Sequence, residues 1–278
     1  MYRNIIFALV LFSLPCDAET EQLPLWQIGL GGGLISIPDY RGSGQKHIYP
    51  YPFLFPMYNG TRFKVDQDGI EALLLQSDRF KFDFSLDGGV PVNGDNNARV
   101  DLPKLGPTVQ IGPMIKYKAW KNNTYDQSLV FNLPIRYVFS IDSGLNRTGY
   151  TAFPHVTYRR KVLLQEDRWK LGLSGGLLFG SEQYHAYYYQ VLPEFSTEGR
   201  PEYGANGGYG GTRFIATFHR RDPKKLISIY ALYDGVNNAV FEDSPLVEST
   251  GGVTVGFVVA WFVSQSRSLV EVKSWELD

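Results

Sequence analysis

The side chains that most often do chemistry are few in this chain. Four histidines, His47, His155, His185 and His219, are scattered along it, and the single cysteine is Cys16. A catalytic base needs a partner that orients it, and a hydrolytic serine needs a base within hydrogen-bond reach. None of the four histidines stands in a recognisable nucleophile context, and His185 and His219 lack the spacing of metal ligands. His155 shares its parity with Thr151, Phe153, Thr157 and Arg159, so on a strand these five form one face and the histidine is solvated or hydrogen-bonded there. Asp66-Gln67-Asp68-Gly69 has the opening of a calcium loop. Apolar Leu73 to Leu75 stand where the closing glutamate belongs, so the segment reads as a turn between strands. No catalytic residue, cofactor or metal is expected.

Charge on strand faces is the remaining chemistry. Asp83, Asp87, Lys116, Lys118, Arg136 and Arg159 all alternate with apolar neighbours. On the polar face of strands such residues either line a pore or form a cross-strand ion-pair network that fills it. The polar, glycine-rich stretch Pro38-Asp39-Tyr40-Arg41-Gly42-Ser43-Gly44 follows the first strand. It reads as a loop shaped by Pro and Gly, with lining of a mouth as the functional alternative.

The elements that position these residues are strands. From residue 129 the odd positions are Leu129, Phe131, Leu133, Ile135, Tyr137, Phe139 and Ile141, with Asn132, Arg136 and Ser140 among the even ones. An uninterrupted apolar face at period two requires a strand, since a helix would mix the two sets on every face. Similar faces are Trp26–Leu34, Phe80–Leu86, Ile111–Ala119 and Val253–Trp261. In a soluble sandwich the apolar face points to a shared core, whereas in an outer-membrane barrel it meets lipid and the polar face lines the lumen. Three features favour the barrel. The strands are long; Tyr and Trp crowd strand ends, as at Tyr117–Trp120, Tyr184–Tyr189 and Trp261-Phe262; and Gly29, Gly31, Gly33 and Gly112 fall on the inner face.

Turn signals at Asn59-Gly60, Lys121–Thr124, Gln165–Arg168 and Arg221–Lys224 divide the chain. Longer loops are expected at Pro38–Lys46, Pro91–Gly106, Pro193–Gly208 and Gly235–Gly251. The fold class is therefore all-β, a transmembrane antiparallel β-barrel of about twelve strands, starting near residues 25, 47, 61, 79, 108, 127, 149, 167, 184, 210, 225 and 252. Arg62 to Gln76 reads as one bent strand or a short hairpin, which leaves ten to fourteen strands open.

Composition and the chain ends agree. Aromatics make up 15% of residues and there are 29 glycines, yet mean hydropathy is slightly negative and no apolar run reaches the length of a membrane-spanning helix. Net charge of −1 offers no footprint for nucleic acid. Arg3 followed by the apolar run Ile5–Leu14 and Cys16-Asp17-Ala18 reads as a signal peptide over residues 1–18. Cleavage there removes the cysteine, leaving no disulfide and no thiol. The barrel is expected over residues 19–262 and a tail over 263–278.

Leu25-Trp26-Gln27-Ile28-Gly29-Leu30-Gly31-Gly32-Gly33 and Pro38-Asp39-Tyr40-Arg41-Gly42-Ser43 are followed in order by Pro50-Tyr51-Pro52, Phe63-Lys64-Val65-Asp66, Ser85-Leu86-Asp87-Gly88-Gly89-Val90-Pro91-Val92, Pro107–Pro113 and Asp243-Ser244-Pro245-Leu246-Val247. In these segments the chain resembles the MipA/OmpV family of outer-membrane proteins (MltA-interacting protein). The resemblance implies a barrel in the bacterial outer membrane, in contact with its lipid, that acts as a scaffold for a murein transglycosylase and a murein synthase. It also implies, as alternatives, a narrow porin-like channel or a surface adhesin or antigen. It supplies no catalytic residues. Members tend to end on an aromatic residue that closes the last strand. Phe262 takes that place here, so residues 263–278 either extend beyond the barrel or add a strand at Ser268–Trp275.

Overall fold

The period-two runs become long antiparallel strands. The structure, a computed structural model, describes residues 21–272 apart from 67–68, 90, 92–95, 123, 125, 142–143 and 165–166. The expected signal peptide over residues 1–18 lies outside the described residues. In chain order the elements are β1 (Glu21–Pro24), β2 (Trp26–Pro38), β3 (Lys46–Asn59), β4 (Phe63–Asp66), β5 (Gly69–Gln76), β6 (Phe80–Gly89), β7 (Thr108–Lys121) and β8 (Gln127–Ile141). They continue as β9 (Leu145–Ala152), β10 (His155–Leu164), β11 (Asp167–Gly180), α1 (Glu182–Tyr189), β12 (Gly208–Arg221), β13 (Lys225–Gly235), β14 (Gly251–Gln265) and β15 (Leu269–Val272).

From β2 to β14 each strand pairs antiparallel with its neighbours, and β14 returns to β2 with Val255 opposite Ser36. The sheet is thereby closed. β9 and β10 continue one another. Both pair with β8, Ile135 facing Ala152 and Asn132 facing His155, and both pair with β11, in unbroken register. They form a single wall strand interrupted at Phe153-Pro154, and the barrel has 12 strands. No described helix is long and apolar enough to cross a membrane; the crossing elements of a barrel are its strands.

The alternation sorts as the sequence predicts. Phe131, Leu133, Ile135 and Tyr137 of β8 are exposed on the outer surface, while Val130, Asn132, Val138 and Ser140 are buried inside. The outward residues of β14, Val253, Val255, Phe257 and Trp261, are exposed in the same way. Inner glycines let neighbouring strands coil closely. A Cβ on Gly31 would stand 2.2 Å from the Val259 carbonyl oxygen, and one on Gly112 only 2.0 Å from that of Ile135.

One expectation needs correction and one open alternative is decided, and the two offset each other in the strand count. The strand expected near residue 184 is helix α1. Ser181 accepts the Tyr184 N–H as its N-cap, and His185 and Tyr189, one turn apart, are its buried residues. The Tyr-rich segment suggests a strand because aromatics fit pleated surfaces, but the cap and the burial of one helical face decide otherwise. Tyr184–Tyr189 therefore form no interfacial girdle. Arg62–Gln76, in turn, is a hairpin of two short strands, β4 and β5, with Asp66 opposite Gly69 at its tip. The strand number is twelve with a different membership.

Beyond Phe262, β14 continues to Gln265 through an irregularity in its pairing with β2. Leu269–Val272 then forms β15, which pairs with β1 from Glu21 opposite Val272 to Pro24 opposite Leu269. This two-stranded sheet lies at the end of the barrel that carries the short turns, hereafter the turn end. The four long connections lie at the opposite, loop end.

Candidate functional site: a charged lumen under a folded cap

The inner faces enclose a cavity of about 1450 Å³. Its wall at β5–β7 carries an ion-pair cluster. Lys81 Nζ is 2.5 Å from Glu71, Lys116 also pairs with Glu71, and the wholly buried Asp83 lies 3.7 Å from Lys81 and 3.6 Å from Lys116. Two lysines face two carboxylates, so desolvation is offset locally by opposite charge. Nearby, Arg136 reaches Asp87 at 3.2 Å and Ser85 Oγ at 2.9 Å. Lys118 is buried on the same inner side of β7, and Arg159 lines the cavity on β10. Cross-strand pairing and pore lining thus coexist: the pairs hug the wall and leave the chamber open.

Glu71 and Lys81 were not singled out by pattern reading. Glu71 falls in the short hairpin whose parity the sequence leaves ambiguous. Lys81 sits beside Asp83 on a face whose alternation is plain, and that alternation was the signal available for it. Arg213 and Asp234 were also missed. They stand opposite each other on β12 and β13 with a two-pronged contact of 2.7 and 2.8 Å, and Arg41 adds a third charge 3.4 Å from Asp234.

At the loop end the long connections fold into a cap with its own core. Tyr40, Leu105, Tyr189, Ala205, Val236, Ala239 and Phe241 come from all four loops. Tyr189 stacks on Phe241 with ring centroids 3.7 Å apart. Hydrogen bonds lock the pieces. The Tyr40 hydroxyl donates to the Leu246 carbonyl, that of Tyr189 to Arg41, and Ser244 Oγ to Tyr189. Arg41 donates to Gly210 O at 2.5 Å, and Arg99 to Tyr188 O at 2.6 Å. Burial pushes the tyrosine hydroxyls of residues 40, 184, 188 and 189 above their ordinary range. It pulls His185 below its own, with the Arg41 charge adding to that effect. The ring of His185 donates from Nδ1 to Asn206 O at 2.7 Å. The stretch Pro38–Gly44 therefore anchors the cap rather than hanging free, its Asp39 holding His47 at 2.7 Å and Asn96 at 2.7 Å.

The structure places Thr151, Phe153, His155, Thr157 and Arg159 along the lumen together, as their shared parity requires. His155 stacks on Phe153 and bonds its carbonyl oxygen at 2.8 Å. The four histidines stay apart. Among the described residues no group of three or more His, Cys, Asp or Glu is placed to hold a metal ion. Asp66 bonds Lys64 at 2.6 Å and ends β4, so the calcium-loop resemblance resolves into a hairpin.

A family model described as MltA-interacting protein MipA matches residues 30–263, nearly the whole barrel. The chain belongs to the MipA family. The family takes its name from an interaction and not from a reaction. No curated protein sequence matches the chain. Among solved structures, a bacterial polysaccharide outer membrane secretin aligns over 87% of this chain and 99% of its own, at 7% identity and a TM-score of 0.41. The toluene transporter TbuX of Ralstonia pickettii aligns over 88% of this chain and 70% of its own, at 9% identity and a TM-score of 0.25. OccK8 (OprE) of Pseudomonas aeruginosa covers 91% and 71%, at 11% and 0.22. Scores this low make them distant likenesses only. The MipA-family barrel described above rests on its own strand pairing.

Proposed function

We propose that this MipA-family barrel resides in the bacterial outer membrane and serves as a scaffold for periplasmic murein-remodelling enzymes, a transglycosylase and a murein synthase. The family's name carries this reading, and the exposed apolar exterior supports the location. In outer-membrane barrels the long loops face outward and the short turns face the periplasm. On that rule the turn end, with the β1–β15 sheet lying beside it, is the surface offered to the partners. Pull-down from envelopes solubilised in mild detergent tests it. The transglycosylase co-purifies with the intact chain and is lost when Leu269 and Val270 are replaced by proline to unpair β15; failure to capture it with the intact chain sinks the scaffold.

A second reading, a narrow channel for small solutes, is favoured by the size of the lumen and by its charge. Thirteen Arg and Lys side chains line it against six Asp and Glu. Such a channel passes anions in preference to cations. Single-channel recording in a planar bilayer with a salt gradient measures both conductance and reversal potential. A silent, well-folded barrel rules this reading out.

A further inference from the structure

One pair of wall strands does not stop at the rim of the barrel. β2 and β14 pair as far as Gln27 opposite Gln265, and the ladder then runs on. Ser266 donates its N–H to Trp26 O at 2.9 Å, and Leu25 donates to Ser268 O at 2.9 Å. β1 and β15 take over directly, with Pro24 opposite Leu269. The small sheet is therefore a tongue that carries the β2–β14 pair past the end of the wall.

Where the tongue stands follows from which residues meet the lumen. Residues directly opposite in an antiparallel pair share a face, and neighbours along a strand do not. Gln22 and Glu271 are opposite each other and lie on one face of the tongue. Leu23, opposite Val270, and Val272, opposite Glu21, lie on the other. Yet Gln22, Leu23, Glu271 and Val272 all border the lumen. A sheet that merely prolonged the wall would turn one face in and the other out. Both faces of the tongue meet the lumen, so it stands in the turn-end mouth. The opposite end is roofed by the cap, whose Tyr40, Tyr188 and Tyr189 border the same lumen.

These two closures differ in strength. The cap is held by seven buried residues drawn from four loops. The tongue has no such core: it is a ribbon of four residue pairs, and Leu269 is 58% exposed. A two-stranded ribbon is marginally stable on its own. Among the described residues, the side chain that ties it to β3 is the buried Asn59. Its amide donates to Pro24 O at 2.7 Å, and its backbone N–H donates to Leu25 O at 2.8 Å. The Asn59-Gly60 pair, a turn signal in the sequence, thus doubles as a latch. A latch of two hydrogen bonds yields far more readily than a packed core.

We propose that the β1–β15 tongue is a gate in the turn-end mouth, latched by Asn59, and that solutes enter and leave the lumen past it rather than through the cap. Thiol labelling of the full barrel in detergent tests this, with Ser174→Cys in a Cys16→Ser background as the reporter. Ser174 lies midway along β11 and lines the lumen. The reagent is the small anionic methanethiosulfonate ethylsulfonate, and folding of every variant is checked by heat-dependent gel mobility. Leu269→Pro with Val270→Pro, which unpairs the tongue, raises the labelling rate about tenfold or more. Asn59→Ala, which removes only the side-chain bond, raises it about fivefold. Phe241→Ala, which takes the stacking partner of Tyr189 out of the cap, leaves the rate unchanged. Unchanged rates in both tongue variants mean that the tongue gates nothing. Acceleration by Phe241→Ala to the level of the tongue variants means entry through the cap, and it overturns the proposal as well. A reporter that reacts in the otherwise intact barrel as fast as free cysteine shows an open mouth, with the same consequence.

Discussion

The β7–β8 wall and the β3–β4 wall belong to one closed sheet but are built on different terms. β7 and β8 are paired from Thr108 opposite Ser140 to Lys121 opposite Ser128, with a break at Gly112-Pro113 and a register shift beyond Lys118. Gly112 lets them approach so closely that no Cβ fits between them. β3 is equally long, yet among the described residues its second edge is paired only at its foot, at Tyr58 and Asn59. In the first wall a glycine brings the backbones together; in the second, Pro50, Pro52 and Pro56 stand at positions whose N–H would point away from β2, where no described strand accepts it. A barrel can thus be continuous in topology and uneven in cohesion, and the side chains record which stretch is which.

The sharpest way to break this contrast is Gly112→Val. Its Cβ would lie 2.0 Å from Ile135 O and 2.8 Å from Arg136 Cα, backbone atoms that cannot swing aside. We expect destabilisation of about 3 kcal/mol or more, seen as loss of the fast-migrating form on unboiled gels. A freely folding variant would show that the β7–β8 approach is looser than described. Next in size is Lys116→Met, which leaves Glu71 and Asp83 sharing Lys81 alone. Losing one partner of a buried pair costs about 3–5 kcal/mol, less here because Lys81 remains. Urea midpoints in detergent measure it, and adding Glu71→Gln should recover part of the loss.

The cap supplies a pH-dependent prediction of intermediate size. The neutral form of His185 is held in the cap core, so below about pH 6.5, the ordinary histidine value, the opened cap binds a proton that the closed cap refuses. Closure therefore weakens as pH falls through that value and is fully present above it. Proteolysis of the residue 193–208 connection should accelerate on acidification in the wild type and much less in His185→Asn. Matching pH profiles in the two proteins would remove the histidine from the account. The smallest expected effect is Pro52→Thr on the sparsely paired edge of β3, a loss of about 1 kcal/mol, because it adds a backbone donor that no described strand accepts. A neutral or stabilised variant would mean that an acceptor stands beside that edge, and the contrast between the walls would fall.

Much of this was legible from parity alone. The face of β8 from Leu129 to Ile141 and that of β14 from Val253 to Trp261 were readable because apolar and polar positions alternate without a break. The cap was not. Its core comes from four loops far apart in sequence, and its stacking of Tyr189 on Phe241 has no local period to betray it. Helix α1 was misread for a related reason: eight residues are too few for a helical period to stand out against an aromatic run that favours strands. The ion-pair cluster was half legible. Asp83 and Lys116 sit on clean alternating faces, whereas Glu71 needed the hairpin to be resolved first. The sparsely paired edge of β3 could not be read, because three prolines in a strand become informative only when the neighbours are known.

The small sheet of β1 with β15 has a bearing on how the molecule is made. β1 finds its partner only in β15, which is made after all twelve wall strands. A chain cut between Gln265 and Leu269 leaves Glu21–Pro24 without this partner although every wall strand is intact. The β1–β15 pairing can therefore form only in a chain whose wall strands have all been made.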